Sequence, residues 1–379
     1  MRIVYVASDQ RVPGRTGGSV HVLEVARGLA GRGHQVHAVV HREPGVPDHD
    51  ERDGVCWHRV AWRPRHRLFR FRARGAVEEL LAEVRPQAVM ERYYNFGGEG
   101  ILAAKQAGIP SLLEVNSPAV DHPGSVKALL DAAVLVRPLR RRRERLCASA
   151  TVLVSPLLEI VPEFARPKTV KMSWGANVDA FHPSRRRAEL RAALGVPEKA
   201  LAAIFIGSFR PWHGVHVLEA AARRLAHRED LFFLLAGGGP AAEGAGYRGR
   251  RLGSLPYEQM PELVASADAG VAPYDTRRLR QLRLGFYWSP LKIFEYMASG
   301  LPTVTIPVPP LGEIVRPEQE GLHFREGDPA DLARALERLA DDPLLRGRLG
   351  RQARARVVEN YSWARHCEQL EQVLRGIAS

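Results

Sequence analysis

The sequence predicts an α/β protein made of two doubly wound, parallel-sheet domains, and three observations carry that expectation. Short β-branched runs alternate with longer helical patterns in the first half of the chain, as in βαβ units. The alternation restarts in the second half. Between them lies "MSWGANVDAFHPS" (172–184), rich in Gly, Asn, Asp and Pro, which reads as a hinge. In order, the first half gives strands at IVYVA (3–7), QVHAVV (35–40), QAVME (87–91), PSLLEV (110–115) and ATVLVS (150–155), with helices over 19–31 and 99–107. The second gives LAAIFIG (201–207), a helix over 214–227, LFFLLAGG (231–238), ADAGVAPY (267–274), a helix over 290–299 and PTVTI (302–306). Domain boundaries follow at 1–172 and 173–358. A final helical stretch, 359–379, carries Tyr361, Trp363, Leu370, Val373 and Leu374 and is expected to cap one of the two domains, either by packing back on the N-terminal one or by staying on the second. Open parallel sheets bind ligands beyond the carboxyl ends of their strands, so both domains are expected to offer a site to a shared cleft.

The composition fits a soluble globular protein: 379 residues, 45% hydrophobic and 26% charged. The chain enters a strand pattern at once, with no signal-peptide core before it, and no apolar run is long enough to span a bilayer. Cys56, Cys147 and Cys367 are odd in number and far apart, which favours a reducing cytoplasm over a disulfide framework. The net charge of +13 asks for an anionic partner. Two stretches hold twelve arginines, six each: "WRPRHRLFRFRAR" (62–74), interleaved with Trp62, Phe69 and Phe71, and "RPLRRRRER" (137–145). Either these are solvated faces or they make salt-sensitive peripheral contact with an anionic membrane.

Three segments carry chemistry. In "GRTGGSVHVLEVARGLAGRGHQV", Gly17 and Gly18 let the backbone approach a ligand at a helix N-terminus, although neither G-x-G-x-x-G nor a Walker sequence is present. In "FIGSFRPWHGVHVLEAA" (205–221), a strand ends at Gly207 and a loop presents Ser208, Arg210, Trp212 and His213, suited to a diphosphate. In "SPLKIFEYMASGLPTV" (289–304), Ser289 reads as N-cap and Pro290 as the first helical residue. The helix N-terminus over Pro290, Leu291, Lys292 and Ile293, with the open amides of the three residues after the proline and the lysine itself, then suits a phosphate, and Glu295 suits a vicinal diol such as a ribose.

These segments resemble a family 4 glycosyltransferase of the GT-B fold. The resemblance extends over nearly the whole chain through "MERYYNFGGEGILAAKQAGIPSLLEVNSP", "WGANVDAFHP", "GSFRPWHGV", "LLAGGGP", "GSLPYEQMPELVASADAGVAPY" and "SPLKIFEYMASGLPTV". It implies a retaining transfer of a sugar from a nucleotide-diphosphate sugar, with a UDP-sugar the expected donor, to a hydroxyl of a small molecule or glycolipid. It further implies that Arg210, His213 and Lys292 stabilise the departing diphosphate and Glu295 holds the ribose. Gly17, Gly18, Ser208, Ser289, Pro290, Leu291 and Ile293 would line the donor site, with the base near Leu255 and Pro256. Glu91, Arg92, Glu114 and Asn116 are the acceptor-side candidates, the two glutamates reading equally well as satisfied structural carboxylates. The chain departs from many relatives at Ser208 and His213 (Arg and Lys there), at Tyr287 (a glutamate) and at Asn116 (a histidine), which leaves the donor sugar open.

No Asp/Glu cluster has metal-ligand spacing, so no metal or other cofactor is expected. The alternatives are a sugar-nucleotide enzyme such as an epimerase on the same fold, and a basic nucleic-acid-binding protein. The second lacks any zinc-finger or RNA-recognition signature, so no nucleic-acid partner is expected.

Overall fold

The structure, a computed structural model, describes residues 1–14, 16–62, 67–94, 97–122, 126–133 and 138–378. The chain divides into two compact units: Met1–Trp174 with Tyr287–Ser289 and Trp363–Ser379, and Gly175–Phe286 with Pro290–Ser362.

In the first unit, β1 (Arg2–Ala7) is buried from Ile3 onward, as β-branched runs are when helices cover both faces of a sheet. Thr16 caps α1 (Gly17–Gly31), its Oγ1 accepting the Ser19 N–H at 3.2 Å. There follow β2 (Gln35–His41), β3 (His49–Arg52), β4 (Val55–Val60), α2 (Arg74–Val84), β5 (Ala88–Tyr93), α3 (Glu99–Gln106), β6 (Ser111–Val115), α4 (Val126–Ala133), α5 (Pro138–Ser149), β7 (Val152–Ser155) and β8 (Thr169–Lys171). The sheet order is β3-β4-β2-β1-β5-β6-β7-β8, antiparallel only between β3 and β4. That hairpin was not among the strands expected from sequence. Its signal was Asp53-Gly54, with φ of 58° and 72°, a two-residue turn between alternating strands.

In the second unit, α6 (Ala188–Ala193) precedes β9 (Leu201–Gly207), α7 (Val215–Arg224), β10 (Leu231–Gly237), β11 (Ala242–Glu243), β12 (Gly249–Gly253), α8 (Met260–Ala265), β13 (Ala269–Ala272), α9 (Leu291–Ala298), β14 (Thr303–Thr305), α10 (Leu311–Ile314), β15 (Gly321–His323), α11 (Pro329–Asp341) and α12 (Pro343–Asn360). The order is β11-β12-β10-β9-β13-β14-β15. Setting aside the added strands β3, β8 and β11, the parallel strands of both sheets run in the doubly wound order 3-2-1-4-5-6. The order reverses between β1 and β5 and between β9 and β13, so each unit has a switch point there.

The stretch read as one helix from residue 359 is two. α12 starts at Pro343 behind an Asp342 cap and ends at Asn360; the C-terminal helix, Trp363–Ala378, belongs to the first unit. There Cys367 lies against Gly28, whose Cβ would stand 2.4 Å from its Sγ, and Glu371 pairs with Arg32 and His34.

Part of the basic stretch 62–74 is core. Arg70 is fully buried at the β1/β5 switch point, donating to Ser8 Oγ at 2.8 Å and Glu99 at 2.6 Å, with Asp9 and Glu91 at 3.3 and 3.4 Å. Trp62 is buried against His41, so neither side chain is offered to a membrane surface; Phe71 is exposed. Residues 63–66 and 137 of the two arginine stretches lie outside the described residues.

Glu91 belongs to the same network. Its oxygens accept the Gly98 N–H at 2.5 Å and the Ile101 N–H at 2.8 Å, capping α3; burial and Glu99 push its carboxyl pKa up, and Arg70 with the two amides pulls it back toward the ionised form. Removing one partner of a buried ion pair leaves the other uncompensated. Glu91→Ala is therefore expected to lower unfolding stability by about 3 kcal/mol, measured by urea denaturation, with Glu91→Gln costing less.

Candidate functional site

The sequence of β9 is apolar until Gly207, and the second-unit site is built where it stops. Gly207 has φ of 149°, and a Cβ there would stand 2.7 Å from Lys292 Nζ and 3.3 Å from His213 Nδ1. Its partner on β10, Gly237, is packed so that a Cβ would fall 1.6 Å from the Gly207 carbonyl oxygen. At the far end of the loop, Gly214 has φ of 68° and touches the Pro273 carbonyl just beyond β13. Only glycine meets all three demands, and together they hold the 207–214 loop over the switch point.

Lys292 comes from the first turn of α9, a helix buried from Lys292 to Ala298. It is 9% exposed, and its ammonium lies 4.1 Å from the ring centre of Phe205 and 5.1 Å from that of Tyr274. Nζ has no hydrogen-bond partner among the described residues. Burial brings the Lys292 pKa down to about 7 against the pull of Glu295. His213, in the turn Pro211–His213, also has an unpartnered buried Nδ1; burial, Lys292 and Arg210 bring its pKa down to about 2. It is a neutral imidazole. In the site without a ligand His213 offers its Nδ1 as a hydrogen-bonding group, beside the Lys292 amine and the exposed Arg210.

Glu295 is 5% exposed, its carboxyl pushed up to about 7 by burial. Its Oε1 accepts a hydrogen bond from Tyr257 at 2.9 Å. Sequence reasoning missed Tyr257, and also the Phe205 and Tyr274 rings beneath Lys292; nothing local marks them, because the strand and loop bring them in from distant positions.

The helix start differs from expectation by one residue. Pro290 is the cap of α9, with ψ of 75° and no side-chain hydrogen bond, and Leu291 is the first helical residue. Ser289 is no N-cap: its Oγ accepts the Trp174 N–H at 3.1 Å. Ile293 donates to the Pro290 carbonyl at 2.8 Å, so the amides left open in this turn are those of Leu291 and Lys292. Ser208 is exposed in the loop, and Leu255 is half-buried two residues before Tyr257.

In the first unit, Gly17 and Gly18 open α1 beside the β1/β5 switch point. A Cβ on Gly18 would meet Gln10 Oε1 at 2.4 Å and Arg92 Nη2 at 3.3 Å. Arg92 pairs with Asp9 at 3.2 Å. Glu91 and Glu114 do not line an open floor. The first is the buried cap described above. The second is sealed between Tyr5, whose hydroxyl donates at 2.6 Å, and His21 Nε2 at 3.0 Å. Burial pushes the Glu114 carboxyl up to about 7. His366 approaches the same cluster, and His21, Glu114 and His366 are the group among the described residues whose ligand atoms come within 4.8 Å of one another. Of the four acceptor-side candidates, two keep an unspent donor among the described residues: Arg92 through Nε, and Asn116 through Nδ2, its Oδ1 accepting the Trp174 Nε1–H at 3.2 Å.

Residues 16–171 match the family model "Glycosyl transferase 4-like domain", and residues 200–342 match "Glycosyl transferases group 1". The chain is 28% identical over 303 residues to a D-inositol 3-phosphate glycosyltransferase of Streptomyces avermitilis, covering 73% of this chain and 62% of that protein. Among solved structures, sucrose-phosphate synthase from Thermosynechococcus elongatus superimposes with a TM-score of 0.74 at 20% identity, over 99% of this chain and 98% of that one. The Anabaena protein HepE in complex with UDP-glucose does so at 0.73 and 15%, over 99% and 100%. At such identities the likeness establishes the fold, which is that of the GT-B proteins. With its two halves matched by the two models, the chain belongs to the group 1, GT4-like glycosyltransferases.

Proposed function

We propose that this protein transfers a sugar, with retention, from a nucleotide-diphosphate sugar to a hydroxyl acceptor, and that the second unit holds the donor. The observation that carries the reading is the Lys292 ammonium, buried without a hydrogen-bond partner next to the backbone of Gly207. Burying an unpaired charge is costly, and a diphosphate arriving at the β9/β13 switch point supplies the missing counter-charge. As the glycosidic bond lengthens, negative charge grows on the β-phosphate. Lys292, Arg210, His213 and the Leu291 and Lys292 amides stabilise it there, while Glu295 accepts hydrogen bonds from the ribose. Neither step calls for a metal.

On the acceptor side the reading favours Asn116 and Arg92 and withdraws Glu91 and Glu114. The acceptor is a hydroxyl compound, small molecule or glycolipid. Peripheral contact with an anionic membrane would rest on the exposed Phe71, Arg72, Arg141 and Arg145.

A hydrolysis and binding screen over UDP-, GDP-, ADP- and dTDP-sugars tests the proposal. One donor class is expected to bind and hydrolyse slowly without acceptor; no binding of any nucleotide or nucleotide sugar overturns the reading. Arg210→Ala and His213→Ala are expected to lower kcat by on the order of 100-fold with smaller changes in donor KM, in steady-state kinetics.

Lys292→Met is expected to trade function for stability. It removes nucleotide binding and raises unfolding stability by about 1 kcal/mol near neutral pH. The lysine gives up its proton on folding between pH 7 and its ordinary value of 10.5, so wild-type stability rises with pH through that window. Urea denaturation should therefore show the variant's advantage largest at or below pH 7 and fading toward pH 10.

A further inference from the structure

The segment "WGANVDAFHP" has no part in the site as described so far, and neither does the loop that carries Tyr257. They meet beneath Glu295. Asn177 folds its segment back on itself: its Oδ1 accepts the Ala180 N–H at 3.0 Å and its carbonyl the Phe181 N–H at 2.9 Å. Arg354, from α12, then fastens the turn to the end of α9. Its Nη1 donates to the Val178 and Phe181 carbonyls, both at 2.9 Å, and to Ala298 at 2.6 Å. This leaves Phe181 fully buried, its ring centre 6.0 Å from that of Tyr257.

Tyr257 sits at the start of a short turn, Tyr257–Gln259, two residues after Leu255. Its hydroxyl reaches Glu295 Oε1 at 2.9 Å. We propose that Tyr257 is the positioning residue of the ribose clamp: braced by Phe181, its hydroxyl fixes one oxygen of Glu295 and so orients the other toward the nucleotide. This inference rests on the reading of Glu295 as the ribose acceptor. A carboxylate on a helical side chain has rotamer freedom, and a hydrogen bond from a phenol anchored by packing removes it before the ligand arrives. The same bond ties the ribose clamp to the 253–257 loop, so that base and ribose contacts form together.

The bond also favours the ionised carboxylate. The groups facing Glu295 are Tyr257 and Lys292, which draw its pKa down, and Tyr274 and Tyr296, which are kept as phenols by burial. Without the Tyr257 donor, Glu295 holds its proton to higher pH and loses a diol acceptor over that range.

The test is Tyr257→Phe, which keeps the ring and its contact with Phe181. Binding of UDP and GDP, each beside its 2′-deoxy form, is measured by calorimetry across pH for wild type, Tyr257→Phe and Glu295→Gln. For the diphosphate that binds wild type, Tyr257→Phe is expected to weaken affinity about tenfold at neutral pH. The acid limb of its pH profile should move up, the alkaline limb set by Lys292 should stay in place, and discrimination between ribose and 2′-deoxyribose should shrink. Unchanged affinity overturns the proposal. So does weaker affinity with an unmoved acid limb, which gives the tyrosine a packing role only. If Glu295→Gln loses affinity and Tyr257→Phe does not, the clamp stands and this inference alone falls. If Glu295→Gln binds like wild type, the ribose reading falls with it.

Discussion

One buried ammonium organises the second unit. Lys292 is held against the faces of Phe205 and Tyr274, and no oxygen among the described residues accepts from it. Aromatic faces recover part of the lost hydration and no more. The surrounding structure has to enforce what the side chain alone would avoid. α9 is apolar on every side except Lys292 and Glu295, so its burial carries both charges inward. Gly207 leaves the space that Nζ enters, and Gly237 lets the neighbouring strand sit against it. The result is an ionisable amine with its surroundings fixed before any ligand arrives, the preorganisation that electrostatic stabilisation of a leaving group requires.

The first unit answers a similar topological position with a different solution. At the β1/β5 switch point the charges are already paired: Arg70 and Arg92 face Asp9, Glu91 and Glu99 in a network that caps α3 and joins it to β1 and β5. The charges are balanced within the network, which stiffens the unit, although Asp9 Oδ1, Arg70 Nη1, Arg92 Nε and Glu99 Oε2 make no hydrogen bond among the described residues. What remains open there is small: the amide nitrogen of Asn116, the edge of Arg92 and the start of α1 behind Gly17 and Gly18. This contrast explains why the second unit carries the chemistry in the proposed function, although both sheets have the same strand order.

Much of this was legible in the sequence, for identifiable reasons. The alternation of strands and helices is dense and the periodicities are clean, so β1, β9, β10 and α9 fall close to where composition and spacing put them. Lys292 and Glu295 could be singled out because two charges in an apolar helix start have few innocuous explanations. Other features depend on contacts that no local pattern encodes. The cap of α9 slipped by one residue because Ser289 is engaged by Trp174, far away in sequence. Trp62 and Arg70 look like an amphipathic surface until the fold buries them. Glu91 and Glu114 are indistinguishable from ligand-facing carboxylates until their partners, two backbone amides in one case and Tyr5 with His21 in the other, are in place. Tyr257 lies thirty-eight positions from Glu295 and is tied to it only in three dimensions.

In the proposed function Lys292 waits, partly deprotonated, for an anion. A diphosphate that binds next to it must raise its pKa, so binding above its free-state value of about 7 draws a proton from solution. The direct measurement is the calorimetric enthalpy of nucleoside diphosphate binding at about pH 8, repeated in buffers that differ in ionisation enthalpy. The slope of observed against buffer enthalpy counts the protons exchanged. Uptake approaching one proton per site is expected in the wild-type protein. A slope of zero with tight binding would mean that Lys292 is either charged already or remote from the ligand, and would contradict this role.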